Sequence, residues 1–193
     1  MRIICAFLIG IVSPLPAAGE APARVVSLLP SYTETIFALG AGERLVGVSN
    51  FCNRPAAAAA LPRVGDYFNP DIERIYALKP GLVFDGDWKN SAASERLSAL
   101  GLKVVRLPEE RRASDLYRTV RMIASELGLA KEGARLNARL KRDFSGAAYK
   151  GKRRLTVYIE VDAGGWSAGG GSFLSSLAGL AGADNIFAGE KAG

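Results

Sequence analysis

The chain has 193 residues, enough for one domain or two small lobes, with a net charge of +6 and 49% hydrophobic residues. It contains no histidine, which excludes Ser-His-Asp and Cys-His catalysis and histidine-ligated zinc. Its two cysteines exclude a four-cysteine metal site and a disulfide-rich scaffold. Basic residues concentrate at 131–154 but form no basic face with interleaved aromatic residues, which predicts a solvated surface and no nucleic-acid contact.

Residues 1–19 have the pattern of a cleavable secretory signal peptide. Arg2 supplies the positive start, and the apolar stretch from Ile3 to Val12 is too short to span a bilayer. Two prolines then interrupt the stretch, and small residues at 17–19 suit signal peptidase. The pattern predicts export to the periplasm, after which Cys52 is the only thiol and no intramolecular disulfide can form.

Apolar strands and amphipathic helices alternate over the first half of the mature chain. Strands are predicted at 25–29, 45–48, 82–84 and 103–107, with intervening helices at 31–39, 70–78 and 92–100. Ser31 and Glu34 form a predicted capping box for the first helix. Asn69 is the predicted cap of the second, with Pro70 in its first turn. Short connections and this alternation predict an α/β fold with a parallel sheet.

The pattern changes after Ser114. Helical spacing runs to Leu127, Gly128 interrupts it, and a second helix is predicted over 132–148. A strand at 155–161, a glycine-rich loop, a helix at 173–180 and the start of a strand at 185–187 follow. An isolated apolar strand needs neighbours, so the strand at 155–161 either joins the first sheet or belongs to a second lobe that has been cut short.

Five motifs in this order and spacing resemble the periplasmic substrate-binding proteins for vitamin B12, haem and iron siderophores, the soluble receptors of ABC importers. The match is nearest to the cobalamin-binding type. The motifs span 26–34 (VSLLPSYTE), 47–52 (GVSNFC), 65–75 (GDYFNPDIERI), 77–83 (ALKPGLV) and 172–187 (SFLSSLAGLAGADNIF).

The resemblance implies two α/β lobes joined by one long rigid helix, with ligand held between the lobes. It places the first lobe at 24–130, the connecting helix at 131–149 and only part of a second lobe at 152–193, so the second lobe looks incomplete. It implies a monomer that captures cobalamin or a related corrinoid and delivers it to the membrane permease. No reaction is catalysed, and no metal or catalytic cofactor is expected.

The resemblance also assigns site residues. It implies that aromatic side chains at Phe51, Tyr67 and Trp88 cover a flat ligand from the first lobe. Trp166 and the glycine loop would face them from the second lobe. Backbone amides of that loop and of the helix start could hydrogen-bond amide or carboxylate groups at the ligand's edge. The further expected ligand-binding residues are Gly170, Ser172 and Ser31. Glu73 matches the acidic residue with which the family docks on arginines of its permease.

Alternatives remain open on the sequence alone. Haem or an iron siderophore could replace the corrinoid: Tyr67 could ligate iron, whereas the absence of histidine argues against haem. A periplasmic α/β enzyme would need a nucleophile with a base, and the sequence shows none. The carboxylate pairs Asp85/Asp87 and Glu109/Glu110 are interpreted as solvated turns. A truncated chain without a ligand is the third alternative.

Overall fold

The computed structural model describes residues 21–87 and 92–190. The predicted signal peptide at 1–19 and the predicted ligand contact Trp88 lie outside the described residues.

A four-stranded parallel sheet forms the centre of the first half of the chain. Its strands, in chain order, are β1 (Val25–Ser27), β2 (Leu45–Val48), β3 (Leu82–Gly86) and β4 (Val104–Leu107). Their order across the sheet is β2-β1-β3-β4, and each adjacent pair is parallel. The predicted α/β class is therefore confirmed.

Helices cover both faces of this sheet. They are α1 (Pro30–Ala38), α2 (Ile72–Ala77), α3 (Ala92–Ala99), α4 (Leu116–Glu126) and α5 (Ala130–Ala147). On one face Ile36 of α1 and Ile123 of α4 belong to a core with Phe84 of β3. On the other face Ile75 of α2 and Leu97 of α3 share a second core with strand residues. Two-sided burial explains why the strands are almost continuously apolar.

The connectivity creates a crevice at the carboxyl ends of β1 and β3. The chain leaves β1 through α1 on one face and reaches β2, then crosses through α2 on the opposite face to β3. The direction of winding therefore switches between β1 and β3, and ligands of open α/β sheets bind outside the strand ends at such a point. The loops after β1, β2 and β3 are the candidates for a binding site.

A second, two-stranded parallel sheet follows α5. It consists of β5 (Leu155–Val157) and β6 (Ala183–Asn185), connected through α6 (Phe173–Leu180). The strand predicted at 155–161 thus does not join the first sheet, and it ends four residues earlier than predicted. Beyond β5, an isolated antiparallel bridge joins Glu160 to Ser167. A hydrogen bond of 3.1 Å from the Ala113 N–H to Ser176 Oγ connects α6 to the turn before α4.

Two predicted helix caps are wrong. In α1, Leu29 is the N-cap and makes no side-chain capping bond, so Ser31 lies within the first turn and the capping box with Glu34 does not form. In α2, Asp71 is the N-cap, and its Oδ1 accepts from Arg74 N at 2.9 Å. Asn69 lies two residues before this cap, and its N–H donates to Asp66 Oδ1 at 2.7 Å within the preceding turn.

No helix in the described part of the chain is both long enough and apolar enough to cross a membrane.

Asp85 is a buried carboxyl group at the end of β3. The sequence interpretation of a solvated turn is wrong for this residue, which is 5% exposed. Its Oδ1 accepts from Gly86 N at 2.8 Å, and Oδ2 accepts from the Ser94 hydroxyl. Burial raises the pKa of Asp85 above its ordinary value of 3.8, against the opposing effect of these hydrogen bonds and of Arg106. Asp87, by contrast, is exposed and pairs with Arg106 at 2.6 Å.

The α2 cap is tested with two neighbouring substitutions. Asp71→Ala is expected to lower the free energy of unfolding by about 1 kcal/mol, because the Arg74 N–H loses its acceptor. Asn69→Ala is the control and should change that free energy by less than about 0.5 kcal/mol. Urea denaturation followed by circular dichroism measures both. A larger loss in Asn69→Ala than in Asp71→Ala would contradict the observed cap.

The buried Asp85 predicts a pH effect on stability. Because its pKa is higher in the folded chain, this group stabilises the fold fully below pH 3.8, and that contribution is lost as the pH rises through the raised pKa. The stability of Asp85→Asn relative to the unsubstituted chain should therefore increase with pH across this window, by at most about 1.4 kcal/mol per pH unit.

Asp115→Asn is the matched control, because backbone N–H groups of Arg111 and Arg112 lower the pKa of Asp115. The stability of Asp115→Asn relative to the unsubstituted chain should decrease with rising pH. Denaturation curves measured between about pH 3 and pH 7 test both signs. Parallel pH profiles for Asp85→Asn and the unsubstituted chain would contradict the prediction.

Candidate ligand-binding site

Three aromatic rings meet at the carboxyl end of β2. Phe51 and Tyr67 have ring centroids 5.5 Å apart, and Tyr67 and Phe68 have centroids 4.2 Å apart. Phe51 is 53% exposed and Phe68 is 67% exposed, whereas Tyr67 is partly buried against the core beneath α2. We refer to Phe51, Tyr67 and Phe68 as the aromatic cluster. Adjacent exposed rings form an apolar surface of the kind that marks ligand or partner contact.

The loop that carries Phe51 is fixed by backbone hydrogen bonds. Asn50 N donates to Gly65 O at 2.8 Å, which joins this loop to the one that carries Tyr67. The Arg63 Nη1 donates to Ser49 O at 2.8 Å and to Cys52 O at 2.7 Å, on either side of Phe51. The exposed ring therefore projects from a restrained loop.

A buried polar cluster lies beneath this loop. The Thr33 hydroxyl donates to Ser27 Oγ at 2.8 Å and lies 3.2 Å from Cys52 Sγ, which in turn is 3.2 Å from Ser49 Oγ. These side chains come from β1, α1 and the loop after β2, and all four residues are fully buried. The cluster ties the three segments together where the crevice opens. Cys52 is thus a packed structural thiol.

The loop from Gly65 to Pro70 orients the other two rings. Gly65 has φ +87°, and a Cβ there would lie 2.8 Å from Asn69 O, so only glycine fits without displacement. Asp66 Oδ1 accepts from Phe68 N at 2.8 Å and from Asn69 N at 2.7 Å. This turn brings the rings of Tyr67 and Phe68 together, whereas side chains of adjacent residues in a strand point to opposite faces.

Sequence reasoning singled out Phe51 and Tyr67 but missed Phe68. The signal available was its position beside Tyr67 in the Gly65 motif. The pattern did not show whether the two rings share a face, because that depends on the turn made by Asp66.

Ser31 follows the carboxyl end of β1 along the chain. It is exposed in the first turn of α1 and lines a depression of about 410 Å³ with Phe173 of α6 and Leu136 and Leu140 of α5. The aromatic cluster contributes no residue to this depression.

Tyr32, next along α1, is fully buried, and its hydroxyl donates to Leu107 O at 3.4 Å. The pKa of Tyr32 is raised above its ordinary value, and burial is the largest cause. The negative charges of Glu110, Asp85 and Asp87 raise this pKa further. Tyr32 is therefore a neutral structural group.

The predicted second-lobe residues differ in what they present to solvent. Trp166 is 69% exposed and borders a depression of about 360 Å³ with Ser172 and Leu174. The Gly170 N–H donates within the chain, to Phe187 O at 2.9 Å and Glu190 O at 2.8 Å.

Ser172 is the N-cap of α6. Its Oγ accepts from Ser175 N at 3.2 Å and donates to Gly169 O at 2.8 Å. Of the residues predicted in this segment, Trp166 therefore offers an exposed apolar surface, whereas Gly170 and Ser172 already have partners in the fold.

Glu73 lies in the first turn of α2 with its side chain exposed, as its position off the apolar face predicts. Because α2 follows the carboxyl end of β2, its first turn lies at the same edge of the sheet as the aromatic cluster, where the strands end. Over residues 21–87 and 92–190, no group of three or more cysteine, aspartate or glutamate side chains is placed to hold a metal ion.

Known proteins with similar sequences are substrate-binding proteins. An uncharacterized ABC transporter substrate-binding lipoprotein, YvrC of Bacillus subtilis, is 29% identical over 177 residues, which is 86% of this chain and 56% of the relative. The vitamin B12-binding protein of Vibrio parahaemolyticus is 37% identical over 105 residues, or 54% of this chain and 38% of the relative. The chain thus spans about half the length of these relatives or less.

Solved structures show the same fold. The periplasmic heme-binding protein RhuT from Roseiflexus sp. RS-1, in apo form, superposes with a TM-score of 0.79 at 26% identity, covering 88% of this chain and 67% of that one. The sequence profile of the family described as periplasmic binding protein matches residues 25–193. The relatives are solute-binding proteins rather than enzymes, and this chain belongs to the periplasmic binding protein family.

Proposed function

We propose that this chain is the exported substrate-binding component of an ABC importer and that it captures cobalamin or a related corrinoid. The aromatic cluster at the carboxyl end of β2 is the observation that carries the proposal. The similarity to a vitamin B12-binding protein over 105 residues supports the choice of ligand.

The chemistry of the cluster suits a flat, largely apolar macrocycle. Aromatic side chains bury a large area at a low cost in conformational entropy, and they are common in pockets for small molecules. Phe51 and Phe68 are both more than half exposed, so a ligand that covers them removes apolar surface from water. The restrained loops mean that little ordering is needed on binding.

We further propose the division of the chain into a first lobe at 24–130, a connecting helix at 131–149 and part of a second lobe at 152–193. The separate sheets on either side of α5 support it. In this arrangement Trp166 contributes an apolar contact from the second lobe, and its exposure leaves the ring available. Trp88 is retained as a proposed contact on the strength of the sequence alone. The same basis retains Gly170, Ser172 and Ser31 as proposed ligand contacts. They would contact the ligand through groups that are not already hydrogen-bonded within the fold.

Haem is the second candidate ligand, and an iron siderophore is a further alternative. The similarity to the heme-binding protein RhuT favours haem. Tyr67 would then provide a phenolic oxygen to iron from the centre of the aromatic cluster.

The proposed partner is the permease of the importer in the inner membrane. Glu73 is an exposed carboxylate beside the cluster, suited to pair with a permease arginine. The proposed location is the periplasm, reached through the signal at 1–19.

Titration with cyanocobalamin, followed by tryptophan fluorescence and calorimetry, tests the ligand. Tyr67→Ala should raise the Kd by about 10- to 100-fold, because the central ring of the cluster is lost. Tyr76→Ala is the control: Tyr76 is 52% exposed on α2 and is outside the cluster, so its removal should leave the Kd unchanged.

The absence of saturable cobalamin binding would contradict the corrinoid proposal, as would equal Kd values for the two variants. Haem is titrated in parallel. A ferric charge-transfer band that Tyr67→Phe abolishes would transfer the assignment to haem.

Reversal of charge at Glu73 tests docking. Glu73→Arg should weaken association with the importer's permease in lipid nanodiscs by at least about tenfold, because a carboxylate–arginine pair becomes a repulsive pair. Glu43→Arg is the control, since Glu43 is exposed in the turn that precedes β2, at the opposite end of the strands. Biolayer interferometry measures both. Equal weakening by the two variants would indicate a general charge effect and contradict docking through Glu73.

A further inference from the structure

One edge of β5 has no neighbouring strand in the described part of the chain. Alternate residues of β5 bond towards β6: the Leu155 N–H donates to Gly182 O at 3.1 Å, and Val157 O accepts from the Ile186 N–H at 3.0 Å. Backbone groups of successive residues in a strand point to opposite edges, so the N–H and C=O of Thr156 point away from β6.

The same alternation continues beyond β5. Ile159 O accepts from the Ala168 N–H at 2.9 Å, and the Val161 N–H donates to the same segment at 2.7 Å. The backbone groups of Tyr158 and Glu160 therefore point to the open side. We refer to the outward backbone groups of Thr156, Tyr158 and Glu160 as the free edge. A row of such groups is a template for a strand from another chain.

Apolar side chains accompany the free edge. Leu155 and Val161 are more than half exposed, and Tyr158 is 49% exposed. A strand added along this edge would cover part of this surface and remove it from water, which adds a hydrophobic contribution to the backbone hydrogen bonds.

Charges of opposite sign stand at the two ends of the free edge. The basic residues 152–154 precede it, and Glu160 ends it. Arg154 Nε pairs with Asp184 Oδ1 at 2.8 Å. Lys152 and Glu160 are both exposed and belong to no ion pair among the described residues.

This distribution of charge is complementary to a second copy of itself. An antiparallel neighbour would place its acidic end against the basic end of the first copy, and the reverse at the other end of the edge. A parallel neighbour would place like charges together, which is unfavourable. A two-fold axis produces the antiparallel arrangement automatically, because each copy then offers the same patch.

We propose that β5 pairs antiparallel with β5 of a second copy of this chain, so that the two copies share a continuous sheet in the order β6-β5-β5-β6. The resulting dimer differs from the monomer that the resemblance implies. The proposal does not depend on which ligand the aromatic cluster holds.

One register satisfies both the backbone and the charges. With Val157 on the two-fold axis, Thr156 of one copy lies opposite Tyr158 of the other, so their outward N–H and C=O groups form a hydrogen-bonded pair. In the same register Glu160 of one copy lies opposite Arg154 of the other.

Sedimentation equilibrium of the full chain tests the association. We expect a monomer–dimer equilibrium with a Kd of about 10–100 µM, as suits a small interface. Thr156→Pro should raise this Kd at least about tenfold, because proline removes an outward N–H while leaving the bonds to β6 in place. Thr156→Ala keeps that N–H and is the control, with a Kd within about threefold of the unsubstituted chain.

Charge reversal gives a second test that does not alter the backbone. Glu160→Lys should raise the Kd about tenfold, because it places a cation opposite Arg154 of the second copy. Glu43→Lys changes the net charge equally but lies in the turn before β2, so it should leave the Kd unchanged. These two variants decide the proposal should Thr156→Pro fail to fold.

Disulfide crosslinking tests the register. Residues that face each other in a non-hydrogen-bonded antiparallel pair have Cα atoms about 4.5 Å apart, within the range of a disulfide. Val157→Cys should therefore give a covalent dimer under mild oxidation, seen on a non-reducing gel. Leu155→Cys is the control, because it would lie opposite Ile159 of the second copy and far from its own equivalent. Native Cys52 is fully buried and is common to both variants.

Three results would overturn the proposal. The first is a chain that stays monomeric up to about 500 µM, which would leave the free edge to a strand of a different polypeptide. The second is an equal Kd in Thr156→Pro and Thr156→Ala, or in Glu160→Lys and Glu43→Lys. The third is equal crosslinking of the two cysteine variants. None of these measurements uses cobalamin or haem, so this proposal and the proposed transport function fail separately.

Discussion

Burial of the four-stranded parallel sheet on both faces is the constraint on which the rest of the structure depends. A parallel ladder needs a crossover between strands, and each crossover here is a helix that covers apolar side chains. Because α1 and α2 cover opposite faces, the chain reverses its winding between β1 and β3. The crevice at the carboxyl ends is a geometric consequence of that reversal, and the loops that border it are free to carry function.

The aromatic cluster can be exposed and still keep its orientation because the loops that carry its rings are restrained by hydrogen bonds. Exposed rings are only partly packed, so much of their orientation comes from the backbone. Arg63 restrains the loop of Phe51 by donating to two carbonyls, and Asp66 restrains the turn that carries Tyr67 and Phe68. The buried hydroxyl and thiol groups around Cys52 fix the loop of Phe51 to β1 and α1. A preorganised apolar surface loses little entropy when it meets a ligand.

The second sheet is less buried than the first. Leu155 of β5 is 63% exposed, and Trp166 and Ile186 are also more than half exposed. Two strands offer few neighbours on which to bury apolar side chains. The hydrogen bond from Ala113 to Ser176 and the shared depression between Ser31 and Phe173 connect this segment to the first. It is thus placed by contacts with α1, α5 and the turn before α4.

The sequence by itself determined the α/β class and the order of the strands along the chain, because period and motif spacing are local properties. The role of Phe51 and Tyr67 in ligand contact stays a prediction. It misplaced both helix caps, since Leu29 precedes α1 and Asp71 precedes α2 in the structure.

Tertiary structure decided what depends on residues distant in sequence. The burial of Asp85 requires Ser94 and the packed end of β3, and the contact between the Phe51 and Tyr67 rings requires two loops joined by the bond from Asn50 to Gly65. The unsatisfied oxygen of Asn137 arises only when α4 packs against α5. None of these has a periodic signal, because each is a contact in space rather than a repeat along the chain.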